Sequence, residues 1–279
     1  KNFLLYYNLL MSDTQFLLID GSYYCFFRYF AIEQWFRLAK RDEKIENPYE
    51  HELFVEKFRK TFVDKIGETI KKLKIDNPII MVGKDCPRKN IWRMKLFPEY
   101  KSNRTRDDGF MGGPFFKMAY DDKLFEEGGA KLRLSYPGLE ADDCIAITVK
   151  HILKKYDDAK IWIIASDMDY LQLASDKVKI FNLKYKDISE SKNCFKDAQK
   201  DLFCKIVAGD KSDCIPSVFK KCGIKTAEKY WNDKEKFQKK LEEDIDATEQ
   251  YHLNKIIIDF ENIPYNLVMG FKEKYGLTD

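Results

Sequence analysis

Residues 15–21 read Gln15-Phe16-Leu17-Leu18-Ile19-Asp20-Gly21. A short apolar run bounded by polar residues and closed by Asp-Gly is the pattern of a buried strand ending in a turn. Two more runs of this kind follow: Ile79–Val82 after the Asn77-Pro78 break, and Ile161–Ala165. The stretches between them have helical length. Residues 23–39 are rich in aromatics, and residues 49–72 place Leu53, Phe54, Phe58, Phe62, Ile66 and Ile70 on one face of an amphipathic helix. Buried strands alternating with helices predict an α/β fold with a mostly parallel central sheet flanked by helices. From about residue 193 the pattern turns helical, with Lys255–Ile258 as the one further strand candidate.

All three strand candidates lead into an aspartate: Asp20, Asp85 and Asp167. In an open parallel sheet the ligand site lies outside the carboxyl ends of the strands, so these acids are expected in one crevice. Asp169 follows Asp167 by two and can face the same way in an extended chain. Glu140, Asp142 and Asp143 stand at the start of another predicted helix, with Glu140 and Asp143 on a shared face. Asp210 and Asp213 fall in a turn between helices. Singly, each has an ordinary explanation, as a helix N-terminal acid or a turn former. Together, so many carboxylates would repel one another and raise their pKa values. Bound divalent cations resolve that repulsion, and oxygen donors of this type select Mg²⁺ or Mn²⁺. A pair of such ions suits phosphodiester hydrolysis.

Residues 84–106 hold eight basic residues (Lys84, Arg88, Lys89, Arg93, Lys95, Lys101, Arg104, Arg106) against Asp85 and Glu99, a net of +6. Trp92, Phe97 and Tyr100 are interleaved, a composition that points to nucleic acid more than to a solvated helical face. A glycine-rich segment, residues 107–114, follows. The whole chain of 279 residues carries only +3, with 44% hydrophobic and 34% charged residues, as expected of a globular protein. Its seven cysteines make no metal-like spacing and read as free thiols of a reducing interior, which predicts an intracellular, not a secreted, protein. Three scattered histidines argue against a zinc site. No span approaches a membrane helix. Met11-Ser12-Asp13 reads as a natural start, and residues 1–10 as upstream translation or an addition outside the natural protein.

The motifs LLIDGS (17–22), DCPRKNIWRMKLFPEYKSNR (85–104), EADD (140–143), ASDMDYLQL (165–173) and GDKSDCIP (209–216), in this order, resemble the 5′ nucleases. That family comprises the flap endonucleases, the 5′-nuclease domain of bacterial DNA polymerases and, nearest in pattern, the phage replication RNase H type. Residues 257–264, IIDFENIP, also look like the tail of the phage type. The resemblance implies a PIN-like core over residues 11–190 with a helical arch at about 86–135. A helical DNA-binding region with a helix–three-turn–helix module would occupy 191–279, the module running from about Leu202 to Trp231. One metal would be held chiefly by Asp20, Asp85, Glu140 and Asp142. The second would lie toward Asp143, Asp167, Asp169, Asp210 and Asp213.

By the same resemblance Lys101 would neutralise the scissile phosphate, Tyr100 would stack on a terminal base, and Arg88, Arg93 and Arg104 would contact phosphates. Lys220, Lys221, Lys225 and Thr226 would grip duplex backbone at the second helix of the module. Some relatives bind K⁺ in its hairpin, where Cys214 and Lys221-Cys222-Gly223 depart from the pattern. The implied activity is structure-specific 5′-3′ exonuclease and flap endonuclease cleavage in DNA replication or repair, on branched or gapped DNA, 5′ flaps or RNA-primed duplexes. The chain would act as a monomer; no clear sliding-clamp peptide is present, and no feature supports a single-strand-binding protein as partner. Two other readings stay open: a non-catalytic DNA-junction binding protein that keeps the fold, and a PIN-type ribonuclease acting on RNA.

Overall fold

A computed structural model describes residues 14–41, 45–104 and 109–277. The reading of residues 1–13 as leader and start, and Arg106, Asp107 and Asp108, lie outside the described residues. Five strands form one wholly parallel sheet: β1 (Gln15–Asp20), β2 (Ile79–Gly83), β3 (Leu132–Leu134), β4 (Lys160–Ile164) and β5 (Val178–Phe181), in the order β3-β2-β1-β4-β5. β1 lies at the centre, with Leu18 level with Met81 on one side and Ile163 on the other. Being covered on both faces, it is apolar throughout. Its alternate side chains feed different cores. Phe16 and Leu18 join one with α6 (Ala141–Lys155) and α11 (Tyr265–Tyr275), while Leu17 and Ile19 join another with α1 (Gly21–Ala39) and α2 (Glu52–Leu73). Burying each such side chain contributes about 1.5–3 kcal/mol.

α1 starts where the sequence leads one to expect: the Asp20 carboxylate accepts a hydrogen bond from the Tyr23 amide (2.9 Å) and caps the helix. Position 21 must be glycine, because a Cβ there would stand 2.6 Å from the Gly83 carbonyl oxygen. The amphipathic stretch becomes α2, capped by His51 and burying Phe54, Phe58, Phe62 and Ile66. After β2 come a 3₁₀ turn (Arg88–Asn90) and the short α3 (Arg93–Leu96). α4 (Gly113–Asp121) and α5 (Leu124–Glu127) pack with α1 and α2 through Phe115, Tyr120 and Phe125. Two strands, β3 and β5, are too short and too mixed in polarity to stand out in the sequence.

The C-terminal part contains α7 (Ala198–Ala208), α8 (Ile224–Asn232), α9 (Lys234–Glu242) and α10 (Ile245–Ile258) around Phe203, Phe219, Tyr230 and Phe237. The expected strand at Lys255–Ile258 is instead the last turn of α10. A run of three isoleucines cannot by itself distinguish a strand from a helix end. Here the helix is set further upstream by the Asp244 cap, and its last turn buries Ile257 and Ile258 beside Tyr100, Ile91 and Ile215. All seven cysteines are free thiols. Among the described residues no helix is long and apolar enough to cross a membrane.

Candidate metal and nucleic-acid site

The parallel topology brings the loops after β1, β2 and β4 to one edge of the sheet, and α6 begins there too. Asp85 joins these parts: its carboxylate accepts from the Ala141 amide (2.8 Å), at the first residue of α6, and from the Ser22 hydroxyl of α1. The Tyr170 hydroxyl donates to Asp20 (2.9 Å). Asp167 caps the 3₁₀ turn 168–173 by accepting from the Asp169 amide (3.0 Å). Burial pushes the Asp20 carboxyl up to about 7, and the neighbouring charges of Asp85 and Asp167 add to the rise. Asp142 is likewise raised well above the carboxylate range by burial and by Asp143. Asp169 rises to about 6, through burial that Lys205 only partly offsets.

Two groups of carboxylates are close enough to share an ion, with oxygens within 4.8 Å of one another: Glu140, Asp142 and Asp143, and Asp169, Asp210 and Asp213. The acids expected from the sequence are thus brought to one edge, in two groups, with Asp20, Asp85 and Asp167 at the strand ends. A charge load that raises several carboxyl groups, presented on oxygen donors alone, fits hard divalent cations.

Asp143, a member of the first group, is also tied into the fold. It is 0% exposed, and its oxygens accept from Trp92 Nε1 (3.0 Å), Arg93 Nη1 (2.9 Å), Arg93 Nη2 (2.7 Å) and the Glu140 amide (3.0 Å). With its acceptor sites occupied from within the fold, it serves as the inner half of a capping box that starts α6. Arg93 is the partner of Asp143. Only 2% exposed, it also donates to Glu140 (3.0 Å) and to the Ile257 carbonyl (2.8 Å), which leaves it facing protein rather than a phosphate. Tyr100 is buried as well, with its hydroxyl on Glu140 (3.1 Å), so its ring is not presented to a base.

Two further cations of the basic stretch, Lys101 and Arg104, are bound up with the acids. Lys101, held in the left-handed region (φ 56°), points its ammonium at Glu140 (2.6 Å) and lies 3.7 Å from Asp213. Burial acts to raise Glu140, but Lys101 and Arg93 outweigh it and hold it below its usual value. Arg104 pairs with Asp213 (2.6 Å) and stays half exposed. Arg88 wraps the turn beneath, donating to the carbonyls of Lys101 and Arg104.

One residue escaped the sequence reading altogether. The Lys205 ammonium, from the last turn of α7, sits between Asp169 and Asp210 (2.8 Å to the latter). Burial would raise Asp210, but Lys205 and Ser212 hold it down at about 2. A lysine in a helix's last turn reads as an ordinary complement to the helix dipole, so the sequence carried no signal. Lys220, Lys221 and Lys225 are exposed around the start of α8, which Gly223 caps. Thr226 is half-buried in its first turn.

Residues 15–200 match the family model described as 5′-3′ exonuclease, N-terminal resolvase-like domain. The chain belongs to this 5′-3′ exonuclease family. It is 32% identical over 225 residues to a 5′-3′ exonuclease of Buchnera aphidicola, a match covering 78% of this chain and 70% of that protein. To the flap endonuclease of Escherichia phage T5 it is 28% identical over 184 residues, covering 61% and 60%. To the ribonuclease H of Enterobacteria phage T4 it is 26% identical over 263 residues, covering 86% and 84%. A solved structure of the T5 5′-exonuclease with bound zinc ions superposes with a TM-score of 0.64 at 21% identity, covering 94% of this chain and 98% of that one. The shared fold is thereby established across nearly the whole chain.

Proposed function

We propose that this chain is a divalent-metal-dependent, structure-specific 5′ nuclease that hydrolyses phosphodiester bonds in branched or gapped DNA, 5′ flaps or RNA-primed duplexes. The observation that carries the reading is the convergence of Asp20, Asp85, Glu140, Asp142, Asp167, Asp169 and Asp210 at one sheet edge, with the carboxyl groups of Asp20, Asp142 and Asp169 raised by burial and by neighbouring acids. Asp20, Asp85, Glu140 and Asp142 would hold one Mg²⁺ or Mn²⁺ ion, and Asp167, Asp169 and Asp210 a second. Such ions, when bound, supply water of lowered pKa and positive charge at the phosphate. Lys101 would turn its ammonium from Glu140 and Asp213 toward the scissile phosphate, with Arg88 holding the turn that presents it. Arg104, half exposed, would contact a neighbouring phosphate.

Around the start of α8, Lys220, Lys221, Lys225 and Thr226 would hold duplex backbone without reading sequence. The T5 flap endonuclease has been crystallised with DNA and metal ions, which supports the substrate class.

The test uses a 5′-labelled DNA flap and a matched RNA-primed duplex, each with Mg²⁺ and with EDTA. Metal-dependent release of a short 5′ product, lost in Asp142→Asn, is expected; the faster substrate decides between flap processing and primer removal. Tight binding with no cutting in any metal would replace this reading by a junction-binding protein.

A further inference from the structure

Asp85 is also one wall of a second space. Behind it, on the β3 side of the sheet, opens a cleft of about 340 Å³ lined by Lys84, Asn90, Ser135, Tyr136 and Lys274 among others. It belongs to neither group of carboxylates, and none of these five residues carries a role in the reading above.

Its chemistry is the reverse of the crevice next door. Two lysines from distant parts of the chain line it, Lys84 just past β2 and Lys274 on α11, and Asp85 is its single acid. That acid already accepts from Ser22 and the Ala141 amide. Lys84 has no carboxylate within ion-pair distance among the described residues; its ammonium lies 4.2 Å from the centre of the Tyr120 ring. Lys274 spends one proton on the Ser135 carbonyl (2.6 Å), leaving others to donate. The side chains of Asn90 and Ser135 make no hydrogen bond within the protein among the described residues, so an amide and a hydroxyl are also on offer.

The remaining wall is aromatic and fixed. Tyr136 packs so tightly on α11 that a Cβ at Gly270 would fall 2.0 Å from its hydroxyl. Unpaired cations beside neutral donors call for an anion rich in acceptors, which a phosphate is. A ring at the wall and a volume well above that of one phosphate call for a base or sugar attached to it.

We infer that this cleft is a metal-independent site for a nucleotide 5′-phosphate, holding the terminal phosphate of the strand beside the carboxylate crevice. The assignment to the strand being cut rests on the nuclease reading; the site itself does not. Because Lys84 and Lys274 make no ion pair, replacing them leaves no buried charge behind.

Two measurements on the full chain test it. The first titrates dCMP, deoxycytidine and inorganic phosphate in EDTA, following binding by NMR. dCMP is expected to bind tightest, and Lys84→Met with Lys274→Met to weaken it at least tenfold, at an unchanged melting temperature. The second compares cleavage of otherwise identical substrates ending in 5′-phosphate and 5′-hydroxyl. The phosphorylated end is expected to be favoured about tenfold, through KM, and the double variant to bring that ratio to one. dCMP binding no tighter than deoxycytidine or inorganic phosphate overturns the site. Equal cutting of both ends, with dCMP bound, overturns its role toward the cut strand while leaving the nuclease reading intact. Failure to cut either end in Mg²⁺ strikes the nuclease reading instead, and the dCMP titration still decides the cleft.

Discussion

Replacing Arg93 by methionine tests whether the basic stretch acts on substrate or on its own protein. The guanidinium makes three bonds to carboxylates, at 2.7, 2.9 and 3.0 Å, and one to the Ile257 carbonyl at 2.8 Å. Asp143 is fully buried and Glu140 nearly so, so the substitution leaves negative charge without its partner in a poorly solvated place. Breaking such a pair from one side costs about 3–5 kcal/mol, whereas replacing both partners by apolar groups can be close to neutral. The assay is urea unfolding in EDTA, followed by circular dichroism. Arg93→Met should lose about 3–5 kcal/mol. Arg93→Lys should recover part of it, since one ammonium cannot reproduce a two-pronged bond to Asp143. Adding Asp143→Leu to Arg93→Met should cost less than the two single losses summed, because each then removes the other's unpaired charge. Wild-type stability in Arg93→Met, with cleavage abolished, would refute the reasoning and return Arg93 to the substrate.

The carboxylate crevice should make the metal-free protein less stable as pH rises. Asp20 sits at about 7 and Asp169 at about 6, both above the unfolded value, so the fold binds protons that the unfolded chain releases. Their stabilising effect is full below pH 4 and is lost as pH rises through 6 and 7, by at most roughly 4 kcal/mol for Asp20. Unfolding in EDTA at pH 5 and pH 8 measures it, and Mg²⁺ should narrow the gap; stability that is flat or rising over this range contradicts the account. Lys205→Met removes the cation between Asp169 and Asp210, so the metal-free protein should lose about 3 kcal/mol and gain more from Mg²⁺ than the wild type does. An equal Mg²⁺ effect on both melting temperatures would argue against that placement. Gly209→Ala puts a side chain at φ 70° with its Cβ 2.4 Å from the Ile215 carbonyl oxygen, and should lower stability by at least about 2 kcal/mol. An unchanged melting temperature would show that the Asp210 turn is not so constrained.

Much of this was legible in residues alone. Apolar runs closed by acids at Asp20, Asp85 and Asp167 were enough for a parallel sheet with its site at the strand ends, because strand burial and chain direction are local properties of sequence. The four-residue steps of 53–70 were enough for α2. The acids gathered at the sheet edge were legible for the same reason: each sits at a strand or helix end that its neighbours define. What only the tertiary structure decided is how each charge is matched. Nothing in the spacing of Arg93, Tyr100 and Asp143 shows that they are buried, yet they face inward, because Trp92, Glu140 and the end of α10 close over them. Lys205 and Lys274 look like ordinary helix-end lysines, yet the packing of α7 and α11 brings one between two aspartates and the other into a cleft beside Asp85. Sequence spacing sets which residues share a face of one element, whereas the partners of a charge depend on which elements pack together. That depends on the summed burial of the cores, which no single motif carries.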